Sequence, residues 1–319
     1  MKILITGGAG FIGSHLVRAL LREGHEIVVI DDFNDYYDPA IKRDNLRELM
    51  DQITLIEGDI RDEQKVEALF SEQKLDAVIH LAARAGVRPS IEDPKLYFNT
   101  NINGTFNLLD ACRHHGVKDF IFASSSSVYG INKKVPFAES DPITRTISPY
   151  AATKLAGEQI CSNYAHLFGI RCMCLRFFTV YGPSQRPDLA ISKFTDRILN
   201  DQPIQQYGDG SSARDYTYVE DIVEGVVAAL NYRESDFEIF NLGGSATTKL
   251  SDLIKLVEQA CGKKAIIEQM PDQAGDVPAT YADVSKAHEL LNYSPATPIA
   301  EGIVKYVQWY RARTGMENA

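Results

Sequence analysis

Two side chains in the stretch SPYAATK, Tyr150 and Lys154, are suited to proton transfer. Residues four apart lie on one face of a helix, so the lysine ammonium would stand close to the phenol. A nearby positive charge lowers the pKa of a phenol and makes tyrosinate available as a base near neutral pH. The spacing therefore predicts that Tyr150 is a catalytic base and that Lys154 tunes it.

The same spacing occurs at Tyr129 and Lys133, which shows that the pattern alone is weak. The stretch YGINKKVPF is polar and bounded by proline, so it is typical of a loop. The stretch that begins at Ser148 and Pro149 instead carries helix start signals and continues as a good helix. We expect only the pair at 150 and 154 to share a helix face.

A glycine-rich motif, TGGAGFIG, lies between the strand pattern KILI and the helix pattern that follows it. Gly7, Gly10 and Gly13 would allow a tight turn, close approach of the backbone to a pyrophosphate and close helix packing. The N-terminus of the helix would attract the negative charge of the phosphates. The motif predicts a dinucleotide site, with a structural glycine turn as the alternative.

The acidic pair Asp31 and Asp32 ends the second strand pattern. Asp31 is placed to bind the adenosine ribose, and no basic residue follows until Lys42, so a 2′-phosphate would be repelled. This predicts NAD rather than NADP. Asp59, in the GDI that ends a third strand pattern, is expected near adenine, and a turn aspartate is the alternative for it.

The pattern of elements in the first half predicts a doubly wound α/β fold. Short apolar runs alternate with amphipathic stretches, which is typical of a parallel sheet covered on both faces. We predict an NAD-binding Rossmann domain at 1–176 and a smaller C-terminal α/β domain at 177–319. The buried run EIFNLGG suggests that about 216–242 returns to the first sheet, so the second domain would be discontinuous.

The composition argues against several classes of partner. With 33 basic and 43 acidic residues the formal charge is −10, which disfavours nucleic acid. No apolar run reaches the roughly 18 residues of a membrane span, and no signal peptide precedes the first strand pattern. The cysteines form no CxxC pair, so we expect reduced thiols, no metal site and a cytoplasmic protein. They are Cys112, Cys161, Cys172, Cys174 and Cys261.

The order of the motifs resembles an extended short-chain dehydrogenase/reductase of the NAD-dependent nucleotide-sugar epimerase and dehydratase group. The similarity covers nearly the whole chain and rests on the stretches TGGAGFIG, HLAA, SSSSVYG, YAATK, RFFTVYGP and ARDYTYVED. It implies a Rossmann domain with a small domain that binds a UDP-sugar, and a homodimer formed by helices near 100–114 and 150–168. It also implies that NAD is bound by Gly7, Gly10, Phe11, Ile12, Gly13, Asp31, Asp32, Asn34, Asp59, Ile60, Leu81, Ala82, Ala83, Asn99, Tyr150 and Lys154.

The resemblance also gives roles to a row of four serines in FASSSSVYG. Ser125 matches the hydroxyl that binds the sugar 4-OH and relays its proton to Tyr150. Lys154 would hold the nicotinamide ribose and, together with the positive nicotinamide, would lower the pKa of Tyr150. In the similar 4,6-dehydratases an Asp and a Glu stand where this chain has Ser126 and Ser127. Without those carboxylates, elimination is not expected and the implied reaction is epimerisation at C4. Alternatively, the two serines only satisfy backbone groups at a strand end.

Further stretches resemble UDP-glucuronate 4-epimerases more than UDP-glucose 4-epimerases, namely DDFNDYYDPAIKRDNL, RPDLAISKFT and GDVPATYAD. The stretch GPSQRP departs from that family, which often has an aromatic residue and a glycine before the arginine. The implied substrate-binding residues are Arg88, Ser126, Ser127, Thr179, Arg186, Arg214 and Asp276. UDP-glucose epimerisation, a lyase, a net oxidoreductase and a non-catalytic NAD-binding regulator stay open as alternatives.

Overall fold

A parallel β-sheet forms the centre of the fold. The computed structural model describes residues 1–271 and 279–316. In chain order, the strands are β1 (Lys2–Thr6), β2 (Glu26–Asp31), β3 (Ile53–Glu57), β4 (Ala77–His80), β5 (Asp119–Ser125), β6 (Arg171–Phe177), β7 (Thr179–Tyr181), β8 (Pro203–Tyr207), β9 (Ala213–Arg214), β10 (Tyr216–Tyr218), β11 (Phe237–Leu242), β12 (Thr248–Lys249) and β13 (Ile266–Met270). Within the described residues the central sheet has seven strands, in the order β3-β2-β1-β4-β5-β6-β11.

Helices connect these strands and cover the sheet. They are α1 (Phe11–Arg22), α2 (Pro39–Leu46), α3 (Glu63–Gln73), α4 (Val87–Glu92), α5 (Pro94–Phe98), α6 (Gly104–His115), α7 (Pro149–Phe168), α8 (Ala190–Leu199), α9 (Val219–Asn231), α10 (Leu250–Cys261), α11 (Ser285–Leu291) and α12 (Ile299–Thr314). In the part of the chain that the structure describes, none of the helices combines the length and apolar character that crossing a bilayer requires.

The two faces of the sheet are buried against different helices. Alternate residues of β1 show this: Ile3 and Ile5 belong to one apolar core with α1 and α9, and Leu4 belongs to another with α3, α6 and α7. All pairings in the central sheet are parallel. The predicted doubly wound fold is therefore confirmed, and its strand order is that of dinucleotide-binding sheets.

Strand β11 returns to the central sheet from the second half of the chain and pairs with β6 in parallel. The remaining strands form three two-stranded sheets, β7 with β10, β9 with β12 and β8 with β13, among the residues described. On this basis we propose a cofactor-binding unit of 1–176 and about 216–242, and a smaller substrate-binding unit in the rest of 177–319.

Helix α7 is placed by its cap and by one close packing contact. The Ser148 hydroxyl accepts a hydrogen bond from the Ala151 N–H at 3.1 Å, and Pro149 occupies the first turn. A Cβ at Gly157 would lie 2.3 Å from the ring of Phe122 on β5, so only glycine allows this approach. The contact brings the face of α7 that carries Tyr150 and Lys154 against the end of β5.

The second tyrosine and lysine pair does not share a helix. A short 3-10 helix covers Ser126–Tyr129 and ends there, and Lys133 lies in the non-helical segment that follows. The prediction of a loop at this position is confirmed.

Candidate active site

A cleft of about 740 Å³ runs along the carboxyl ends of the central strands. Ligands bind at this edge in open α/β sheets, because the strand order reverses there and helix N-termini point into the crevice. The cleft is lined by most of the residues chosen from the sequence, namely Gly7, Gly10, Phe11, Ile12, Gly13, Asp31, Asp32, Asn34, Asp59, Ile60, Leu81, Ala82, Ala83, Arg88, Ser125, Ser126, Ser127, Tyr150, Lys154, Thr179, Arg186 and Arg214.

Two of the chosen residues are placed differently. Asn99 borders an adjoining surface depression beside Asp59, not the main cleft, because the irregular helical turn at Asn99–Asn103 directs it there. Asp276 lies outside the described residues.

The glycine turn forms one wall of the cleft. A Cβ at Gly13 would lie 2.3 Å from the Gly7 carbonyl oxygen, so the turn and the first turn of α1 can pack this closely only without a side chain. Gly10 is the N-cap of α1 and provides no side chain to accept from the first N–H groups. An uncapped helix N-terminus that lines a cleft fits a dinucleotide phosphate.

The acidic pair lies at the end of β2. The Asp31 carboxylate accepts two backbone N–H bonds at 3.0 and 3.2 Å, and the Lys42 ammonium lies 4.0 Å away. Burial raises the pKa of Asp31, and the charge of Lys42 opposes that shift. Lys42 also donates to the Asn34 carbonyl at 3.1 Å, so this cation is held within the acidic group. These residues fit an adenosine ribose with free hydroxyls.

Beneath the glycine turn, His80 takes part in a buried hydrogen-bond chain. Thr105 donates to a backbone carbonyl at 2.6 Å, so its oxygen accepts from His80 Nε2, at 2.9 Å. His80 Nδ1 then accepts from the Thr6 hydroxyl at 2.7 Å, and the Thr6 oxygen accepts from the Ala82 N–H at 3.1 Å. Burial lowers the pKa of His80 to about 3, with a further contribution from Lys154. A neutral imidazole thus connects β1, β4 and α6 beneath the glycine turn.

This histidine gives the folded protein a specific acid sensitivity. Because the pKa of His80 is about 3 in the fold and about 6.5 in an unfolded chain, the unfolded state takes up a proton first as the pH falls. The contribution of neutral His80 to the free energy of unfolding is fully present above pH 6.5. It falls by about 1.4 kcal/mol per pH unit between pH 6.5 and 3. We expect His80→Asn to have a shallower loss of the free energy of unfolding in that window, measured by urea titration.

The matched control for this experiment is His166→Asn, which changes an exposed histidine of α7. It should keep the pH dependence of the parent. Parallel stability curves for His80→Asn and the parent between pH 6.5 and 3 would contradict the buried neutral state of His80.

The residues chosen for proton transfer meet in the middle of the cleft. Lys154 is buried, its ammonium donates to the Ala123 carbonyl at 2.7 Å, and it lies 5.9 Å from the centroid of the Tyr150 ring. Burial lowers the pKa of Lys154 to about 8. Ser125 is the side chain whose hydroxyl most strongly favours a lower pKa of Tyr150. The structure therefore places a phenol, a hydroxyl and an amine at one point on the sheet edge.

The electrostatics of Tyr150 differ from the sequence-based expectation. Burial raises the pKa of Tyr150, and the Ser125 hydrogen bond and the charge of Arg186 oppose that shift without cancelling it. The Lys154 ammonium is directed at a backbone carbonyl and is itself desolvated, so it does not produce the lowered pKa that the spacing suggested. The expected lowering also depends on the positive nicotinamide, so it stays a prediction for the enzyme with NAD bound.

The four serines have separate contacts. Ser125 Oγ accepts from the Ser127 backbone N–H at 3.2 Å and from the Ser127 hydroxyl at 3.0 Å, which starts the 3-10 helix. The Ser127 hydroxyl is thus directed at Ser125, the serine whose hydroxyl acts on the pKa of Tyr150. Ser124 also borders the cleft, and its hydroxyl donates to the Glu158 carboxylate at 2.5 Å.

Glu158 and Arg176 form a buried ion pair behind these serines. Two hydrogen bonds of 2.8 and 2.9 Å join them, and their side chains are 0% and 3% exposed. The Arg176 guanidinium stands 4.8 Å from the centroid of the Tyr129 ring, and the Tyr129 hydroxyl donates to Asn241 at 2.7 Å. Tyr129 is therefore part of the packing that joins α7, β6 and β11, not of the proton-transfer group.

The far end of the cleft carries the arginines. Arg186 makes two hydrogen bonds with the Asp188 carboxylate, at 2.8 and 2.9 Å, and its guanidinium lies 5.4 Å from the centroid of the Tyr36 ring. The Arg88 guanidinium carbon lies 5.6 Å from the centroid of the Tyr207 ring. These groups surround the part of the cleft beyond Tyr150, where anionic oxygens of a ligand could be bound.

Sequence reasoning missed several residues that line the cleft. Tyr36, Arg84 and Asp188 were not chosen, although all three face it. The sequence offers a signal for Tyr36, the aromatic pair in NDYYDP just after the acidic residues, and for Asp188, its place two residues after Arg186. Arg84 follows the HLAA motif and donates to Asn34 Oδ1 at 3.3 Å.

Comparison with known proteins agrees with this geometry. Residues 3–243 match the NAD dependent epimerase/dehydratase family. The chain is 42% identical to UDP-glucuronate 4-epimerase of Thermodesulfobacterium geofontis, over 96% of this chain and 95% of that protein.

Two solved structures are similar over the whole fold. UDP-glucuronic acid 4-epimerase from Bacillus cereus, in complex with UDP-glucuronic acid and NAD, is 39% identical, with a TM-score of 0.92 over 98% of this chain and 100% of that one. UDP-glucose 4-epimerase from Thermotoga maritima with UDP-glucose is 34% identical, with a TM-score of 0.91 over 98% and 100%. The chain therefore belongs to the NAD dependent epimerase/dehydratase family.

Proposed function

We propose that the protein is an NAD-dependent UDP-sugar 4-epimerase that interconverts UDP-glucuronate and UDP-galacturonate. The observation that carries this proposal is the group of Ser125, Ser126 and Ser127 beside Tyr150 and Lys154, with hydroxyls where an eliminating enzyme needs an acid and a base. Among the described lining residues, Asp188 is the acid at the Arg186 end, and it is held in a two-bond ion pair. The relatives named UDP-glucuronate 4-epimerase support the choice of sugar.

The cofactor site belongs to the glycine turn, the N-terminus of α1 and the Asp31 carboxylate. NAD, when bound, supplies a reversible hydride acceptor at C4 of the sugar. Asp31 and Asp32 favour a ribose with a free 2′-hydroxyl over a 2′-phosphate, since the carboxylates would repel added negative charge. Lys154 would hold the nicotinamide ribose.

The residues of the chain perform the proton transfer. Tyr150 accepts the proton of the 4-OH, with Ser125 as the hydrogen-bond relay between them. Loss of this proton, together with transfer of the C4 hydride to the NAD that the site would hold, would leave a 4-keto sugar, which turns about its diphosphate linkage and presents its other face. Tyr150 then returns the proton to the C4 oxygen as the hydride would return to C4. No part of this sequence needs an acid or base at positions 126 and 127.

The carboxylate that UDP-glucuronate carries on C5 sets a further requirement for the sugar site. Oxidation of UDP-glucuronate at C4 produces a β-keto acid, which loses CO₂ readily when the carboxylate bond aligns with the carbonyl π system. Neutral hydroxyls from Ser126, Ser127 and Thr179 would hold the carboxylate out of that alignment without adding a proton donor of high acidity. UDP-glucose has no carboxylate, so in the same pocket these hydroxyls would have no charged group to bind.

Thr179→Val tests this assignment. The backbone N–H of Thr179, the first residue of β7, donates to the Asp215 carbonyl at 3.0 Å. Valine keeps both this bond and the β-branched shape. Loss of one hydrogen bond to a charged group costs about 1.5 to 3 kcal/mol. We expect epimerisation of UDP-glucuronate to fall by about 10- to 100-fold and the fraction of UDP-pentose to rise, measured by chromatography of the products.

The control is UDP-glucose, whose turnover should be nearly equal in the parent and in Thr179→Val. A parent enzyme that prefers UDP-glucose by tenfold or more would overturn the choice of substrate. UDP-glucose epimerisation is the second candidate, which the likeness to the Thermotoga maritima enzyme favours.

The proposal extends to assembly and location. Large apolar side chains are exposed on the face formed by α6 and the end of α7, where the resemblance expects a homodimer to form; they are Phe106, Leu167 and Phe168. Sedimentation of the purified protein tests this. All five cysteines are free and buried, which suits a reducing cytoplasm.

A further inference from the structure

The segment of residues 33–38, here named the strap, follows β2 and is fixed at its root. Phe33 adopts a positive φ of 44°, and its N–H donates to Asp31 at 3.0 Å. The Asn34 N–H donates to Asp32 at 3.1 Å. Asp38 ends the strap as the N-cap of α2, accepting from the backbone at 2.9 Å. These contacts give the strap one defined course, anchored to the acidic pair at the cofactor end.

Tyr36 extends from the strap to the sugar end of the cleft. Its N–H donates to Asn34 Oδ1 at 3.2 Å, which sets the direction of the backbone. Its hydroxyl reaches Gly86: a Cβ placed there would lie 3.0 Å from the Tyr36 oxygen. Gly86 has a φ of 105°, a backbone conformation that favours glycine, and a side chain there would also crowd the Tyr36 hydroxyl.

The ring of Tyr36 faces Arg186, whose guanidinium carbon is 5.4 Å from the ring centroid. Asp188 engages Nε and Nη2 of the same guanidinium. Arg186 is thus held by an aromatic face from the first half of the chain and by a carboxylate from its own loop. The remaining nitrogen, Nη1, is the one that these contacts leave to bind an anionic ligand oxygen.

Arg186 also acts on the reacting group. Its positive charge is one of the influences that lower the pKa of Tyr150 against the effect of burial. Tyr36 enters the electrostatics of the same phenol with the opposite sign. Tyr36, Arg186 and Tyr150 all line the same cleft, although they lie far apart in the sequence.

We propose that Tyr36 is a positioning residue that holds Arg186 in the orientation required to bind the sugar end of the nucleotide-sugar. This rests on the proposed function, because Arg186 is taken to contact the UDP-sugar. The strap is rooted in Asp31 and Asp32, so it aligns the substrate arginine with the cofactor end of the cleft. The ring does the positioning, and the hydroxyl contributes only its packing against Gly86.

The test compares Tyr36→Ala with Tyr36→Phe in the purified holoenzyme. A cation–π contact has a strength that corresponds to a change of about 3- to 30-fold in binding. We expect Tyr36→Ala to raise KM for UDP-glucuronate within that range while kcat falls by less than about threefold. The NAD released on denaturation should equal that of the parent. Tyr36→Phe should restore KM to within about twofold.

Two further variants make the result specific. Asp35→Ala changes an exposed residue of the same strap and should leave KM unchanged. In an Arg186→Met background, Tyr36→Ala should add little further effect, because the group that it positions is gone. A general loosening of the strap would instead lower kcat and NAD content and raise KM, both in the parent and in the Arg186→Met background.

Binding of UDP-glucuronate, measured by calorimetry in the Tyr150→Phe background, separates the positioning role of Tyr36 from the proposed epimerase function. Weaker binding on adding Tyr36→Ala supports the role of Tyr36 whether or not the parent epimerises this sugar. Unchanged binding and an unchanged KM would overturn it, as would a full effect of Tyr36→Ala in the Arg186→Met background. A parent that binds UDP-glucuronate without forming UDP-galacturonate contradicts the proposed function alone.

Discussion

Tyr150→Phe is expected to lower kcat by about 10²-fold or more while NAD and substrate stay bound. Phenylalanine keeps the ring, which meets the Tyr97 ring edge to face, but removes the oxygen that accepts the proton. A positioned acid or base contributes about 10² to 10⁴ in rate. Because burial raises the pKa of Tyr150, the activity of the parent should rise with pH as the phenol ionises. Steady-state kinetics and cofactor content on the same preparations measure both effects.

Tyr129→Phe is the matched control, since this tyrosine has a lysine at the same spacing. Its hydroxyl donates to Asn241 at 2.7 Å, away from the reacting group, and burial raises its pKa to about 12. We expect a change in kcat of a few-fold at most, with a loss of stability from the unpaired amide. A Tyr150→Phe enzyme within a few-fold of the parent would remove Tyr150 from the proton-transfer step.

Arg176→Met is expected to destabilise the fold by about 3 to 5 kcal/mol. It leaves the fully buried Glu158 carboxylate without its guanidinium partner, and an uncompensated buried charge is costly. The effect on the fold should be larger than the effect on substrate binding, because Arg176 faces α7 and not the cleft. Urea unfolding of the holoenzyme, at one fixed NAD concentration, measures the change.

The double variant Glu158→Leu with Arg176→Met tests the cause. Replacing both charges by apolar residues of similar size removes the uncompensated charge, so it should recover much of the lost stability. Equal destabilisation in the single and double variants would show that packing, and not the ion pair, holds α7 to β6 at this place.

The motifs that predicted the fold and the cleft are local in the sequence. The glycine turn, the acid at the end of β2 and the helix start at Ser148 each depend on neighbouring residues, so spacing was enough to place them. The return of β11 to the sheet was visible as a buried strand pattern. Parallel topology then brings the strand ends, and the residues on them, to one edge.

The contacts that sequence reasoning missed join distant segments. The contact of Tyr36 with Arg186 crosses 150 positions, and nothing in either segment alone indicates its partner. The pairing of Glu158 on α7 with Arg176 on β6 is likewise not indicated by either segment alone. The raised pKa of Tyr150 in the protein by itself was missed for a related reason, because the spacing to Lys154 shows proximity but not desolvation.

The most direct measurement uses UDP-glucuronate that carries deuterium at C4, incubated with purified enzyme and no added cofactor. If the sugar is oxidised and reduced at C4 within one active site, the product is UDP-galacturonate with the deuterium retained at C4, seen by NMR and mass spectrometry. Loss of the label to solvent, or formation of a dehydrated or decarboxylated product in its place, would contradict the epimerase mechanism.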